Sequence, residues 1–190
     1  MPSSDTLQFL RALLRDPSRV GAVAPSGRAL ANLITADLTP AHLPILELGP
    51  GTGAFTQTLI ARGVPEHRVA LVEADATFAE NLARRFPLAR VLAMDATNLA
   101  QLSKVFDEPA GAIISGLPLL SMPGDKVVAI LQGAFRHLRE GGTLYQFTYL
   151  PRCPVPSRVM SELNLEASRM GCAWANLPPA FVFRIRRRSG

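Results

Sequence analysis

Apolar and polar positions follow a regular rhythm along most of the chain. Short apolar runs at 43–49, 68–75, 89–96, 110–116 and 143–149 predict five strands. The segments 55–63, 76–86 and 124–142 predict helices that end at Gly63, Pro87 and Gly141–Gly142. Strands that alternate with helices predict an α/β fold, in which a parallel sheet is covered by helices on both faces.

The two ends of the chain depart from this rhythm. Two extended runs between 172 and 188 meet at Pro178–Pro179, which predicts an antiparallel hairpin at the edge of the sheet. Near the start, between Ser4 and Pro17, the pattern predicts an amphipathic helix that either lies on an anionic membrane or packs on its own domain. Its apolar stripe contains Leu7, Leu10 and Leu14, and its polar side carries Arg11 and Arg15.

The length and composition fit one folded domain. The chain has 190 residues, of which 48% are hydrophobic, so we expect one domain over 1–190 with a helical membrane or lid segment at 1–35 and an α/β core at 36–190. No apolar run is long enough for a transmembrane helix, and the first residues do not resemble a signal peptide. The cysteines, Cys153 and Cys172, lack metal-ligand spacing, so no metal is expected.

The net charge of +5 bears on the kind of partner that the protein binds. Lys104 and Lys126 are the only lysines among 20 basic residues, so arginine dominates. The arginine guanidinium suits phosphate oxygens, which predicts a polyanionic partner. Composition leaves open whether that partner is nucleic acid or an anionic membrane surface.

Residues 45–55, ILELGPGTGAF, carry the strongest local signal for chemistry. Three glycines lie between a predicted strand and a predicted helix, where the backbone can turn sharply and approach a ligand. The loop consists of Gly49, Pro50, Gly51, Thr52 and Gly53. Its third glycine comes one residue earlier than in NAD-binding loops. Glu47, just before the loop, would repel a pyrophosphate and attract a cationic amino acid group.

Two further acids end the next two predicted strands. Glu73, followed by Ala74, can accept hydrogen bonds from ribose hydroxyls, and Asp95, followed by Ala96, could reach an adenine amino group. Together with Glu47 they would line the crevice at the carboxyl ends of neighbouring parallel strands, where open α/β sheets bind ligands.

These positions together resemble the S-adenosylmethionine site of class I methyltransferases. The resemblance implies a Rossmann-like fold with a mostly parallel, seven-stranded sheet and an antiparallel C-terminal hairpin. It implies S-adenosylmethionine as the cofactor and S-adenosylhomocysteine as its product. The 49–53 loop, Glu47, the pairs 73–74 and 95–96, and Ser115 would bind the cofactor.

The stretch SGLPLLSMP, residues 115–123, lies where many methyltransferases place the residues facing the methyl acceptor. Enzymes that methylate adenine amino groups resemble it there, but with Asn where Gly116 stands and an aromatic residue where Leu119 stands. A flipped base needs such an amide and ring. An ethanolamine headgroup needs only a slot with oxygen acceptors, which the backbone at Ser115–Gly116 could supply, with Pro118 stiffening it. Leu117, Leu119 and Leu120 would suit the glycerol and the first acyl carbons.

Four segments, 9–32, 115–123, 144–149 and 175–188, are similar to the bacterial phospholipid N-methyltransferases, which convert phosphatidylethanolamine stepwise to phosphatidylcholine. Leu150 departs from that pattern, in which a glycine is expected. The resemblance implies a cytoplasmic enzyme at the inner face of the cytoplasmic membrane, with Gly116, Leu117 and Pro118 at the substrate and Arg19 and Arg28 at the lipid phosphate. The alternatives are a nucleic-acid adenine N-methyltransferase and a peripheral membrane protein that binds the cofactor without turnover.

Few residues are needed for the chemistry. A sulfonium is an activated methyl donor, so the protein mainly orients the reactants. The amine must attack as the neutral base, and an apolar pocket beside a sulfonium lowers its pKa. Tyr149, on the strand face that carries Tyr145 and Phe147, is the candidate catalytic residue, because its ring could hold a growing quaternary cation.

Overall fold

The computed structural model describes residues 25–188, which fold around one seven-stranded sheet. The strands are β1 (Ile45–Leu48), β2 (Val69–Glu73), β3 (Arg90–Ala93), β4 (Ala110–Ser115), β5 (Leu138–Thr148), β6 (Leu165–Ala173) and β7 (Ala180–Arg187). Their order across the sheet is β3-β2-β1-β4-β5-β7-β6. The first five are parallel to one another, whereas β7 runs antiparallel to both β5 and β6.

Helices cover both faces of the sheet. On one face lie α1 (Pro25–Ile34), α2 (Ala54–Ala61) and α3 (Ala76–Arg85), and on the other α4 (Gly124–His137) and α5 (Ser157–Glu162). Short 3₁₀ segments span Pro40–His42, Glu66–Arg68, Ala96–Gln101 and Leu119–Ser121. Among residues 25–188, no helix has the length and apolar character needed to cross a bilayer. The predicted amphipathic helix and Arg19 lie outside the described residues.

The predicted fold class is confirmed. Strands β1, β2 and β4 are buried along their whole lengths because helices cover both sides of them, which explains their continuous apolar runs. The three predicted helices of the core are present, and the C-terminal strands form the expected antiparallel hairpin.

The predicted helix over 124–142 is wrong at its end. Helix α4 stops at His137, and β5 starts at Leu138 and includes both glycines. Leu138 pairs with Ala110, while Thr143 pairs with Ala112, so the residues between them form a bulge. Gly141 has φ +70, and a Cβ on Gly142 would lie 2.7 Å from the Leu138 side chain. The glycines therefore permit a bulged strand start rather than a helix cap.

The hairpin begins earlier than predicted. Strand β6 runs over Leu165–Ala173, and Trp174–Pro179 connect it to β7. Because β6 is the edge strand, most of its side chains are at least partly exposed, and its sequence lacks a clear alternation of apolar and polar residues. Helix α5, only one and a half turns long, was not predicted either.

Candidate functional site

The glycine loop follows β1 and leads directly into α2. All three glycines have left-handed φ angles, between +53 and +78. A Cβ on Gly49 would lie 2.7 Å from the Leu117 side chain, and one on Gly53 would lie 2.7 Å from Phe86, whereas the space beside Gly51 is open. Two glycines are therefore needed for packing, and the middle one faces the crevice.

Glu73 joins the loop to the second strand. It lies at the end of β2, where its Oε2 accepts a hydrogen bond of 2.9 Å from the Gly51 N–H. Its Oε1 accepts one of 3.0 Å from the Asp75 N–H, while the neighbouring Ala74 is exposed. The carboxylate thus lies at the loop, where the sequence predicted a ribose contact, and that contact stays a prediction.

Asp95 follows β3 on the same edge of the sheet. Its Oδ1 accepts hydrogen bonds of 2.8 Å from both the N–H and the hydroxyl of Thr97, and it caps the 3₁₀ segment that begins at the buried Ala96. These bonds lower the pKa of the Asp95 carboxyl. An exposed, ionised carboxylate is therefore available at this edge to accept a hydrogen bond from a ligand amine.

Glu47 is buried in β1 beneath the loop. Its Oε2 accepts a 2.7 Å hydrogen bond from the Thr56 hydroxyl on α2, and Oε1 has no hydrogen-bond partner among the described residues. Burial, opposed by the Thr56 hydrogen bond and assisted by the negative charge of Glu73, raises the pKa of this carboxyl to about 7. An unpaired buried acceptor costs free energy unless a ligand satisfies it. The ammonium group of S-adenosylmethionine fits that requirement.

The acceptor segment packs directly against the cofactor loop. Ser115 is buried at the end of β4, and the Gly116 N–H donates a 2.8 Å hydrogen bond to the Leu48 carbonyl. A Cβ on Gly116 would lie only 2.5 Å from the Gly49 carbonyl oxygen. The Gly49 carbonyl therefore fills the space where a side chain at position 116 would begin, and the predicted acceptor slot at Ser115–Gly116 stays a prediction. Gly116 permits close contact between the two loops.

Gln146 is a site residue that the sequence reasoning missed. It is fully buried in β5 opposite Ser115, and its Nε2 donates hydrogen bonds to the carbonyls of Leu117 (3.0 Å) and Phe147 (2.8 Å). Its Oε1 has no partner within the described part of the chain. Gln146 thus holds the segment that continues to Pro118. An amide within the apolar run 144–148 was the signal that could have revealed it.

Three aromatic side chains form a row on the face that carries α1 and α2. Phe55, in the first turn of α2, lies edge-to-face against Phe147, with ring centroids 6.0 Å apart, and Phe147 lies likewise against Tyr149 at 5.6 Å. Burial raises the pKa of the Tyr149 phenol, opposed by a hydrogen bond with the Asn176 side chain. Tyr145 is fully buried core, so only Phe147 and Tyr149 of the predicted trio remain partly exposed.

A groove of about 780 Å³ adjoins the acceptor segment on the opposite face of the sheet. Its apolar walls include Leu119, Leu120, Met122, Val155, Met160 and Leu165. Its charged lining residues are Arg152, Arg188 and Glu166. We call it the acyl groove. Of these walls, only Leu119 and Leu120 were predicted to lie near the lipid, because the remaining walls come from segments distant in the chain.

Arg28 lies elsewhere. It lines a second groove, of about 540 Å³, between α1 and α2 together with Arg62 and Arg85. Arg85 also donates a 2.7 Å hydrogen bond to the Thr52 carbonyl of the cofactor loop. Among the described residues, none of that groove's walls belongs to the acceptor segment 115–118. The structure therefore does not bring Arg28 to Gly116, Leu117 and Pro118, as the shared substrate role had predicted.

The sheet order and this site together define the class of protein. A glycine loop after β1, acids on β1, at the end of β2 and after β3, and an antiparallel β7 inserted beside β5 are the arrangement of a Rossmann-like methyltransferase. Residues 45–142 match the family described as "Methyltransferase domain", and the chain belongs to it. The protein is a methyltransferase of class I, and its cofactor is S-adenosylmethionine.

Similar proteins include one that acts on a lipid, by its name. An ornithine lipid N-methyltransferase from Singulisphaera acidiphila is 29% identical over 152 residues, which are 77% of this chain and 79% of the relative. A TehB-like methyltransferase from Corynebacterium glutamicum has a TM-score of 0.63 at 16% identity, with 97% of this chain and 99% of that one covered. A glycopeptide N-methyltransferase, MtfA, solved with S-adenosylmethionine, has a TM-score of 0.65 at 12% identity, with 87% and 96% covered. The two structures show likeness of fold.

Proposed function

We propose that the protein methylates the amino group of phosphatidylethanolamine, and of its mono- and dimethyl derivatives, towards phosphatidylcholine at the inner face of the cytoplasmic membrane. The observation that carries the proposal is the acyl groove, which starts at the 3₁₀ segment directly after the acceptor loop. The relative named for ornithine lipid supports it, because its name describes methyl transfer to the nitrogen of a lipid.

The groove has the chemistry of a lipid site. Its leucine, methionine, valine and proline walls suit a hydrocarbon chain, which makes no hydrogen bonds and gains free energy on leaving water. Two arginines and one glutamate among its walls leave one positive charge in excess. A phosphodiester, with one negative charge, complements that excess. The headgroup amine would then lie at the acceptor loop and the chain along the groove.

The residues of this chain contribute orientation and exclusion of water. When bound, S-adenosylmethionine supplies a methyl group that is already activated by its sulfonium. The substrate ammonium must lose its proton before the nitrogen lone pair can attack, and apolar surroundings favour that loss. The aromatic row Phe55–Phe147–Tyr149 would stabilise the product cation by cation–π attraction. Tyr149 keeps the role proposed for it, now with Phe55 as a further member.

The second candidate is adenine N-methylation of nucleic acid, which the groove lined by Arg28, Arg62 and Arg85 favours. The acceptor segment disfavours it. Leu119, at the position of the base-stacking ring, is buried, and Gly116 is closed against Gly49. For the membrane contact itself, we keep the proposal that the amphipathic pattern at 3–17 contributes.

One experiment separates these candidates. The protein is incubated with methyl-labelled S-adenosylmethionine and, in parallel, with phosphatidylethanolamine vesicles, ornithine-lipid vesicles and structured RNA. We expect label in the phosphatidylethanolamine fraction and none in RNA. Faster labelling of RNA adenines than of any lipid would contradict the proposal. Labelling of ornithine lipid alone would show that ornithine lipid, rather than phosphatidylethanolamine, is the substrate. A Glu73→Ala protein, in which we expect weaker cofactor binding, should transfer less label and serves as the control.

A further inference from the structure

The turn between β6 and β7 exposes large apolar side chains to solvent. Within residues 25–188, three large hydrophobic side chains stand out as exposed, and two of them lie in this turn: Trp174 at 75% and Leu177 at 80%. The third, Leu88, is 67% exposed. The turn sequence, WANLPP, contains no charged residue. Single exposed apolar residues are ordinary, whereas apolar side chains grouped on one uncharged turn favour a role in contacting a membrane or another molecule.

The turn lies on the same edge of the sheet as the acceptor loop. Thr148 pairs with Phe181, so β7 begins level with the end of β5. Ser115, the end of β4, pairs with Gln146, so the acceptor loop leaves the sheet at the same edge. The turn and the acceptor loop are therefore neighbours on the carboxyl edge of the parallel strands.

The turn is also held in place. Asn176 is buried, its Nδ2 donates a 2.7 Å hydrogen bond to the Pro178 carbonyl, and its side chain bonds to the Tyr149 hydroxyl. The Trp174 ring packs edge-on against Phe181, with centroids 6.3 Å apart. These contacts tie the turn to the candidate catalytic residue while leaving most of Trp174 and Leu177 in solvent.

We propose that the Trp174–Pro179 turn inserts into the interfacial region of a lipid bilayer and holds the acceptor loop at the level of the headgroups. An indole is apolar with one N–H donor, and tryptophan favours that region of a membrane for this reason. The exposed Arg152, three residues after Tyr149, is near the same edge and complements lipid phosphates. The proposal rests on the proposed function for its choice of a bilayer as partner, and it predicts where the protein touches that bilayer.

Trp174 is the only tryptophan of the chain, so its fluorescence reports on this turn alone. The intact protein is mixed with vesicles of phosphatidylethanolamine and phosphatidylglycerol, with and without brominated acyl chains. We expect a blue shift of the emission and quenching by the brominated lipid. Emission that stays unchanged and unquenched while the protein sediments with the vesicles would overturn the proposal.

Two matched variants test the contribution of the turn. Leu177→Asp should weaken vesicle binding by about tenfold or more, since it removes a leucine that the bilayer would bury and adds a charge. Leu88→Asp makes the same change at an exposed leucine just before β3, on the amino edge of the sheet, and should leave vesicle binding unchanged. Equal weakening by both variants would overturn the proposal. Circular dichroism checks that both variants are folded.

Failure of this proposal is distinguishable from failure of the proposed function. Methylation of phosphatidylethanolamine dispersed in detergent tests the activity without a bilayer. Activity in detergent combined with normal vesicle binding by Leu177→Asp would overturn the membrane turn and leave the activity standing. Lipid quenching of Trp174 without methylation of any ethanolamine lipid would support the turn and contradict the substrate.

Discussion

In the ligand-free protein, we expect the free energy of unfolding to fall as the pH rises through the pKa of Glu47. Replacement of Glu47 by Gln should abolish that fall. Burial raises the pKa of Glu47 from 4.5 to about 7. A carboxyl with a raised pKa in the folded state favours folding while it is protonated. The stability it contributes is fully present below the pKa of the unfolded chain and is lost as the pH rises through the folded value. Once Glu47 is ionised in both the folded and the unfolded state, the rise of its pKa to about 7 corresponds to a loss of about 3 kcal/mol in the free energy of unfolding.

The assay is urea denaturation of the wild type and Glu47→Gln between about pH 4 and about pH 8.5. The glutamine oxygen can still accept the hydrogen bond from Thr56, so packing is preserved. Titrations elsewhere cancel in the comparison. The free energy of unfolding of the wild type should fall relative to the variant by about 3 kcal/mol across this range. A difference that does not change with pH would refute the assignment of the raised pKa.

Proton release on cofactor binding is a second test of the raised pKa of Glu47. A cationic amino group beside the unpaired Oε1 would stabilise the carboxylate and lower its pKa. Binding of S-adenosylmethionine near pH 6 should then release a proton, which calorimetry detects in two buffers of different ionisation enthalpy. Glu47→Gln should abolish that release. Equal proton release by both proteins would mean that the ammonium group binds elsewhere.

Three other changes test the site. Glu73→Ala should weaken cofactor binding by about 10- to 150-fold, because a charge-assisted hydrogen bond is lost, and an unchanged dissociation constant in a folded variant would contradict the ribose contact. Gly116→Ala should lower cofactor and acceptor affinity together, since its Cβ would meet the Gly49 carbonyl at 2.5 Å; loss of acceptor affinity alone would refute this. Ser161→Trp, in the acyl groove, should raise KM for long-chain phosphatidylethanolamine and not for glycerophosphoethanolamine, whereas Glu162→Trp, outside the groove lining, should change neither.

The sequence could predict the central strands because their environment is uniform. Strands covered on both faces need continuous apolar runs, and β1, β2 and β4 have them. The start of β5 could not be predicted in the same way. Local chemistry at Gly141–Gly142 favours a helix cap, but pairing of Leu138 with Ala110 on another strand overrides that preference. Strand β6 lies at an exposed edge, where few side chains have to be apolar, so its sequence carries no strong local signal.

The site residues also divide into those that the sequence could predict and those that it could not. The glycines and acids could be predicted because each lies in or directly after a recognisable strand, and the parallel topology then brings them to one edge. The sequence signals Gln146 only as an amide within an apolar run and does not signal Phe55. Their roles depend on contacts with Leu117 and Phe147, respectively, which are far away in sequence. The close contact of Gly116 with the Gly49 carbonyl could not be predicted either, because the two residues are far apart in sequence.

That close approach also limits how this scaffold can evolve. An asparagine at 116, the residue that adenine methyltransferases use there, would require the Gly49 carbonyl to move, because even a methyl group would collide with it. A lineage with this contact therefore cannot reach a new acceptor through that position in one step without damaging its own cofactor loop. Single substitutions that change the acceptor must instead fall on side chains free of the contact, such as Leu120, Tyr149 or the walls of the acyl groove.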